Sequence, residues 1–146
     1  MNTQAYVDLK DKHAEELNAF PIAYAFNGEQ LKQALKKLGV ESTHECVSVF
    51  GHGDIVKKED APRLLAMFKR HNQEVHEALE DKDFAEGAFL YEMNNHEYAI
   101  NWDGDDDILD CFALTYDKLR EMGLEDAYCR ARNEHMRIAR EDWGII

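Results

Sequence analysis

Tyr6, Leu9, His13 and Leu17 recur three or four residues apart, which predicts a one-sided helix from Thr3 to about Ala19. Phe20-Pro21 ends it, because the residue before proline avoids helical angles. Ile22, Tyr24 and Phe26 alternate with two alanines and predict a short strand. Asn27 is the expected N-cap of the next helix, with Glu29 in its first turn, Leu31, Ala34, Leu35 and Leu38 on one face, and Gly39 just past its end. Cys46–Phe50 and Ile55–Val56 are two apolar runs joined by Gly51-His52-Gly53-Asp54, the pattern of a hairpin. Asp60 and Pro62 open a long helix with the stripe Ala61, Leu64, Leu65, Phe68, Val75 and Leu79. Asp83 is the expected cap of another, carrying Phe84, Ala88 and Phe89. Asn94-Asn95 then reads as a helix stop, since Asn tolerates left-handed angles. Tyr98, Ile100 and Trp102 alternate with Ala99 and Asn101 and predict a fourth strand. Ile108, Leu109 and Phe112 mark a short helix, Thr115 caps a further turn, and Leu124, Ala127, Tyr128, Ala131, Ile138 and Ala139 mark the closing helix.

The order lacks regular βαβ alternation. It predicts an α+β fold, a small, largely antiparallel sheet packed against several helices, in a single domain over 1–146. Phe89, Tyr98 and Ile100 flank the Asn94-Asn95 turn and are expected in the core. Hydrophobic residues make up 45% of the 146, enough for a packed core. No apolar run approaches the roughly 20 residues that span a bilayer. Met1-Asn2-Thr3-Gln4 lacks the start of a signal peptide, and a cytoplasmic location is expected. Cys46, Cys111 and Cys129 are odd in number and widely spaced, which argues against a disulfide framework.

Charge sharpens this picture. The net charge is −13, and residues 74–126 alone hold 17 acids against 3 bases. Residues 1–73 hold 10 of each, and 127–146 hold 3 acids and 4 bases. Such a middle section repels nucleic acid and attracts basic partners.

Few residues suggest chemistry. Gly51-His52-Gly53 matches neither a phosphate loop nor a dinucleotide fingerprint. Asp103-Gly104-Asp105-Asp106-Asp107 begins like a calcium loop, but its sixth and twelfth positions are Ile108 and Leu114 where Gly and Glu are needed. Its acids are better read as the negative first turn of a helix. None of the seven histidines forms a His-x-x-x-His or His-Glu-x-x-His pair. No serine elbow or triad order is present. No cofactor, structural metal or disulfide is expected.

Ala25-Phe26-Asn27-Gly28-Glu29-Gln30, then Val49 to Val56, then Phe89-Leu90-Tyr91-Glu92-Met93-Asn94-Asn95-His96-Glu97-Tyr98 carry a resemblance. The chain resembles a family of small acidic proteins of unknown function from bacteria, phages and conjugative elements. Its pattern is similar to Tyr-Glu-x-x-Asn-His-Glu-Tyr, matched at Tyr91, Glu92, Asn95, His96, Glu97 and Tyr98, over about residues 20–120. His52 stands where glycine is usual. The resemblance implies a fold and a mobile-element setting, in which inhibitors of host defence are common, and no activity.

The expected function is a non-enzymatic acidic interaction protein facing a basic nucleic-acid-binding protein, of anti-CRISPR or anti-restriction type. It would use Glu77, Glu80, Asp83, Asp103, Asp105, Asp106 and Asp107, and would not itself bind nucleic acid or a membrane. The alternative is a small-molecule or nucleotide-binding module with an aromatic pocket of His96, Tyr98 and Trp102. A weak hydrolase using His96 and Glu97 is the third reading.

Overall fold

A computed structural model describes all residues, 1–146. The fold is α+β: seven α-helices with a three-stranded antiparallel sheet. The chain forms two compact units, Met1–Asp11 with Asn72–Ile146 and Lys12–His71.

The second unit is continuous in sequence. It contains the second half of α1 (Gln4–Ala19), then β1 (Ala23–Tyr24), α2 (Gly28–Leu38), β2 (Cys46–Val47), β3 (Asp54–Lys57) and the first part of α3 (Ala61–Ala78). The strand order is β1-β3-β2, with Ala23 opposite Ile55 and Val47 opposite Val56. The expected hairpin therefore forms, with a shorter first strand than Cys46–Phe50 and a longer second strand than Ile55–Val56. Asn27 caps α2 by accepting from the Gln30 N–H, and Gly39 ends it at φ 71°, where a side chain would strain the backbone. Ala34 and Leu38 turn inward against Ala23, while Ile22, Val56 and Leu64 form a second small core. Phe26 lies outside the sheet and is exposed, as is Phe50, which the longer expected strands would have enclosed. The loop between β2 and β3 turns inward on Asp54. This buried carboxylate accepts from the Ser48 hydroxyl and from the backbone N–H groups of Val49, Phe50 and His52.

The first unit is built on α4 (Lys82–Asn95), buried on most of its circumference through Ala85, Gly87, Ala88, Phe89, Leu90, Glu92 and Met93. It packs chiefly on α7 (Glu125–Glu141), whose Ala127, Ala131 and Ala139 keep the facing surface shallow. Phe89 is wholly buried and meets Phe112 and Tyr128 edge-on. Two short helices, α5 (Gly104–Cys111) and α6 (Tyr116–Glu121), lie between α4 and α7 in the chain. Thr115 caps α6 through the Lys118 N–H, as expected.

Four expectations are corrected. Asp81, not Asp83, caps α4; Asp83 sits in the first turn. Asn94 and Asn95 remain helical, and the left-handed residue that stops the chain is Glu97, at φ 50°. Tyr98–Trp102 is not a strand: Tyr98–Ile100 is a turn of 3₁₀ helix. Ile100 is exposed rather than core, and Tyr98 is only half-buried. Side-chain hydrogen bonds, both local and tertiary, explain the difference, because they take the backbone groups a sheet would use. The Ala99 N–H donates to His135 Nε2, and His135 Nδ1 meets Asn94 Oδ1. Asn101 donates to the His96 carbonyl and accepts from the Asp103 N–H.

Candidate functional site

The C-terminal ends of α4 and α5 build the most chemically distinctive cluster. Glu92 lies four residues before His96, so the two side chains share a helix face, and His96 Nε2 is 3.2 Å from Glu92 Oε2. The loop and α5 then return Cys111, whose Sγ lies 3.3 Å from the same His96 nitrogen. The ligand atoms of Glu92, His96 and Cys111 all fall within 4.8 Å of one another.

Glu92 is buried, and its other oxygen is committed. Oε1 accepts from the Tyr6 hydroxyl at 2.7 Å and from Lys10 Nζ at 2.5 Å. Lys10 also lies over the rings of Tyr6 and Tyr91. Burial alone would raise the Glu92 pKa, but Lys10 and Tyr6 hold it below the usual carboxylate range. Burial and the Glu92 carboxylate push the Tyr6 hydroxyl far up. Desolvation and the Glu92 charge likewise push the Cys111 thiol up to about 12. That thiol donates to the Asp107 carbonyl at 3.1 Å. Asn101 braces the segment, donating to Asp107 Oδ2 at 2.7 Å.

This geometry is not a nucleophilic relay. In a Cys-His-acid arrangement the nucleophile and the acid occupy different ring nitrogens. Here both meet Nε2, and the thiol is almost wholly protonated at neutral pH. The cluster instead brings three donor atoms toward one point. Glu92, rather than the adjacent Glu97, is the carboxylate paired with the His96 ring.

The other sequence-selected residues lie as follows. Asp105 Oδ1 accepts from both the Tyr98 and Tyr128 hydroxyls at 2.7 Å. Burial and this carboxylate push the Tyr98 hydroxyl up to about 12. Gly104 makes room for this arrangement, since a Cβ there would stand 2.8 Å from the Tyr98 ring. Asp107 is held by Asn101, while Asp103 and Asp106 are exposed and make no side-chain hydrogen bond or ion pair. Glu77 accepts from Gln73; Glu80 and Asp83 are exposed without a side-chain partner. Asp83 stands in the first turn of α4 and His96 just beyond its last, about 20 Å apart along a helix of this length. Glu77, Glu80 and Asp83 therefore lie at the opposite end of α4 from the Asp103–Asp107 turn. Tyr98 and His96 share the loop after α4, but Trp102 projects fully into solvent. Three cavities, beside Gly39 and Lys57, Ala23 and Lys37, and Phe20 and Met67, are lined by residues of Lys12–His71, and none of the three includes His96, Tyr98 or Trp102.

The sequence reading missed Tyr6, Lys10, Glu92 and Cys111. The Glu-x-x-x-His spacing of Glu92 and His96 was available as a signal once the helix was extended through Asn95. Nothing local points to Cys111 or Lys10.

No helix is long and apolar enough to cross a membrane. No curated protein and no solved structure matches the chain. One family does, over residues 5–132. Its span takes in Tyr6, Lys10, Glu92, His96 and Cys111, and the chain belongs to this family of unknown function, DUF7659.

Proposed function

We propose that this is a non-enzymatic interaction protein whose acidic unit docks on a basic nucleic-acid-binding protein. The observation that carries the reading is the partition of charge. Residues 1–11 and 72–146 hold 22 acids and 8 bases, whereas 12–71 hold 8 acids and 9 bases. One compact unit thus carries the whole imbalance. A field of one sign steers oppositely charged partners and competes with phosphates for their Lys and Arg. The docking end is the Asp103–Asp110 turn and helix, where Asp103, Asp106 and Asp110 are exposed and unpaired. The resemblance to proteins of phages and conjugative elements makes a cytoplasmic inhibitor of host defence, of anti-CRISPR or anti-restriction type, the setting we favour.

The test begins with capture of partners from host lysate at low and high salt. Affinity for the captured protein is then measured for the triple variant Asp103→Asn, Asp106→Asn, Asp110→Asn. These three replace charge without touching the Asp105 or Asp107 hydrogen bonds. Exposed ion pairs contribute about 0.2–1 kcal/mol each, so a loss of about tenfold is expected. Affinity indifferent to both the triple replacement and added salt would exclude the acidic-docking reading.

A further inference from the structure

We infer that Glu92, His96 and Cys111 form a binding site for one divalent transition-metal ion of the zinc class. Three features of the cluster lead there. The first is convergence: carboxylate, imidazole and thiol reach a common centre from two helix ends, with all three ligand atoms within 4.8 Å of one another. The second is spacing. Zinc bonds of about 2.0–2.3 Å at tetrahedral angles set ligand atoms about 3.3–3.6 Å apart. The His96–Glu92 and His96–Cys111 separations are 3.2 and 3.3 Å, close to these values, and the Glu92 and Cys111 ligand atoms lie within 4.8 Å. The third is support behind the ligands. Glu92 Oε1 is tied to Tyr6 and Lys10, which leaves Oε2 as the oxygen facing His96. Asn101 holds both the His96 carbonyl and the Asp107 side chain, bracing the loop between the two ligand-bearing ends. Such outer contacts orient ligands in metal sites.

The donor set selects the ion. A thiolate and an imidazole favour zinc, cobalt or iron, whereas magnesium and calcium want oxygen ligands alone. Three protein ligands leave a fourth tetrahedral position for water or for a group on a partner. The proton balance is simple. In the ion-free arrangement the thiol hydrogen rests on the Asp107 carbonyl, and an imidazole N–H at Nε2 would be shared between Glu92 and Cys111. Binding sends the thiol proton to solvent and places the imidazole hydrogen on Nδ1. Glu92 and Cys111 then supply two negative charges, and the solvated Lys10 head stays on the far carboxylate oxygen.

Cobalt(II) is the probe of choice, because a cysteine ligand produces a thiolate-to-cobalt charge-transfer band and tetrahedral geometry intensifies the visible bands. Full-length, chelator-treated protein is titrated with cobalt and then zinc. One equivalent is expected to bind, with both bands present and displaced by zinc, while excess magnesium or calcium has no effect. Cys111→Ser removes the charge-transfer band, and His96→Gln weakens zinc binding by at least tenfold. Cys46→Ser and Cys129→Ser change neither. A second measurement needs no variant: zinc slows alkylation of Cys111 in the native chain and leaves the exposed Cys129 unprotected. Sub-stoichiometric binding, a band that survives Cys111→Ser, or equal alkylation of Cys111 with and without zinc overturns the proposal.

Discussion

Asp54 illustrates how one side chain can organise a segment that lacks regular structure. Buried between the strands, it replaces the missing ladder of the β2–β3 loop with three backbone N–H donors and a hydroxyl. Burial by itself would raise its pKa, but these donors draw it down to about 2. The sign for stability follows. Because the folded value lies below the ordinary carboxylate range, the contribution is complete above about pH 4. It is lost as pH falls through about 2. Asp54→Ala leaves several N–H groups without their acceptor and should cost about 2–4 kcal/mol in denaturant melts at neutral pH. The variant should also lose the part of the acid sensitivity below pH 4 that belongs to this group. A cost below about 1 kcal/mol would mean that the loop is held by its neighbours instead.

At the scale of elements, burial separates two residues that the sequence treats alike. Phe89 and Ile100 both sit on apolar patterns beside the same turn, yet Phe89 is fully buried and Ile100 is 55% exposed. Phe89→Ala should cost about 3–5 kcal/mol, whereas Ile100→Thr should stay within about 0.5 kcal/mol. Paired denaturant melts check both; similar losses would refute the assignment of the Tyr98–Ile100 turn to the surface. Helices were legible because their apolar stripes, caps and stops recur over several turns: Asn27, Gly39 and Thr115 act as their residue types suggest. The loop after α4 was not legible. Its alternation of Tyr98, Ile100 and Trp102 is the strand period, but the backbone partners there are the side chains of His135 and Asn101. Periodicity carries no information about such partners. The candidate site was half legible for the same reason. Glu92 and His96 belong to one helix face, while Cys111, Tyr6 and Lys10 arrive only through tertiary packing.

For the whole molecule, the unit holding the site is not continuous along the chain. Its first eleven residues are separated from the remainder by the sixty that form the other unit. Tyr6 and Lys10 meet Glu92 across 86 and 82 residues, contacts of the kind that raise contact order and slow folding. The order of synthesis adds a delay. Translated at about 5–20 residues per second, Glu92 leaves the peptidyl-transferase centre about 4–16 s after Lys10. Residues 12–71 have all of their own partners before then. A nascent chain arrested when residues to about 75, but not Glu92, have left the ribosome tunnel should therefore protect 12–71 from protease while residues 1–11 remain cleavable. The opening residues of this protein wait longest for their place.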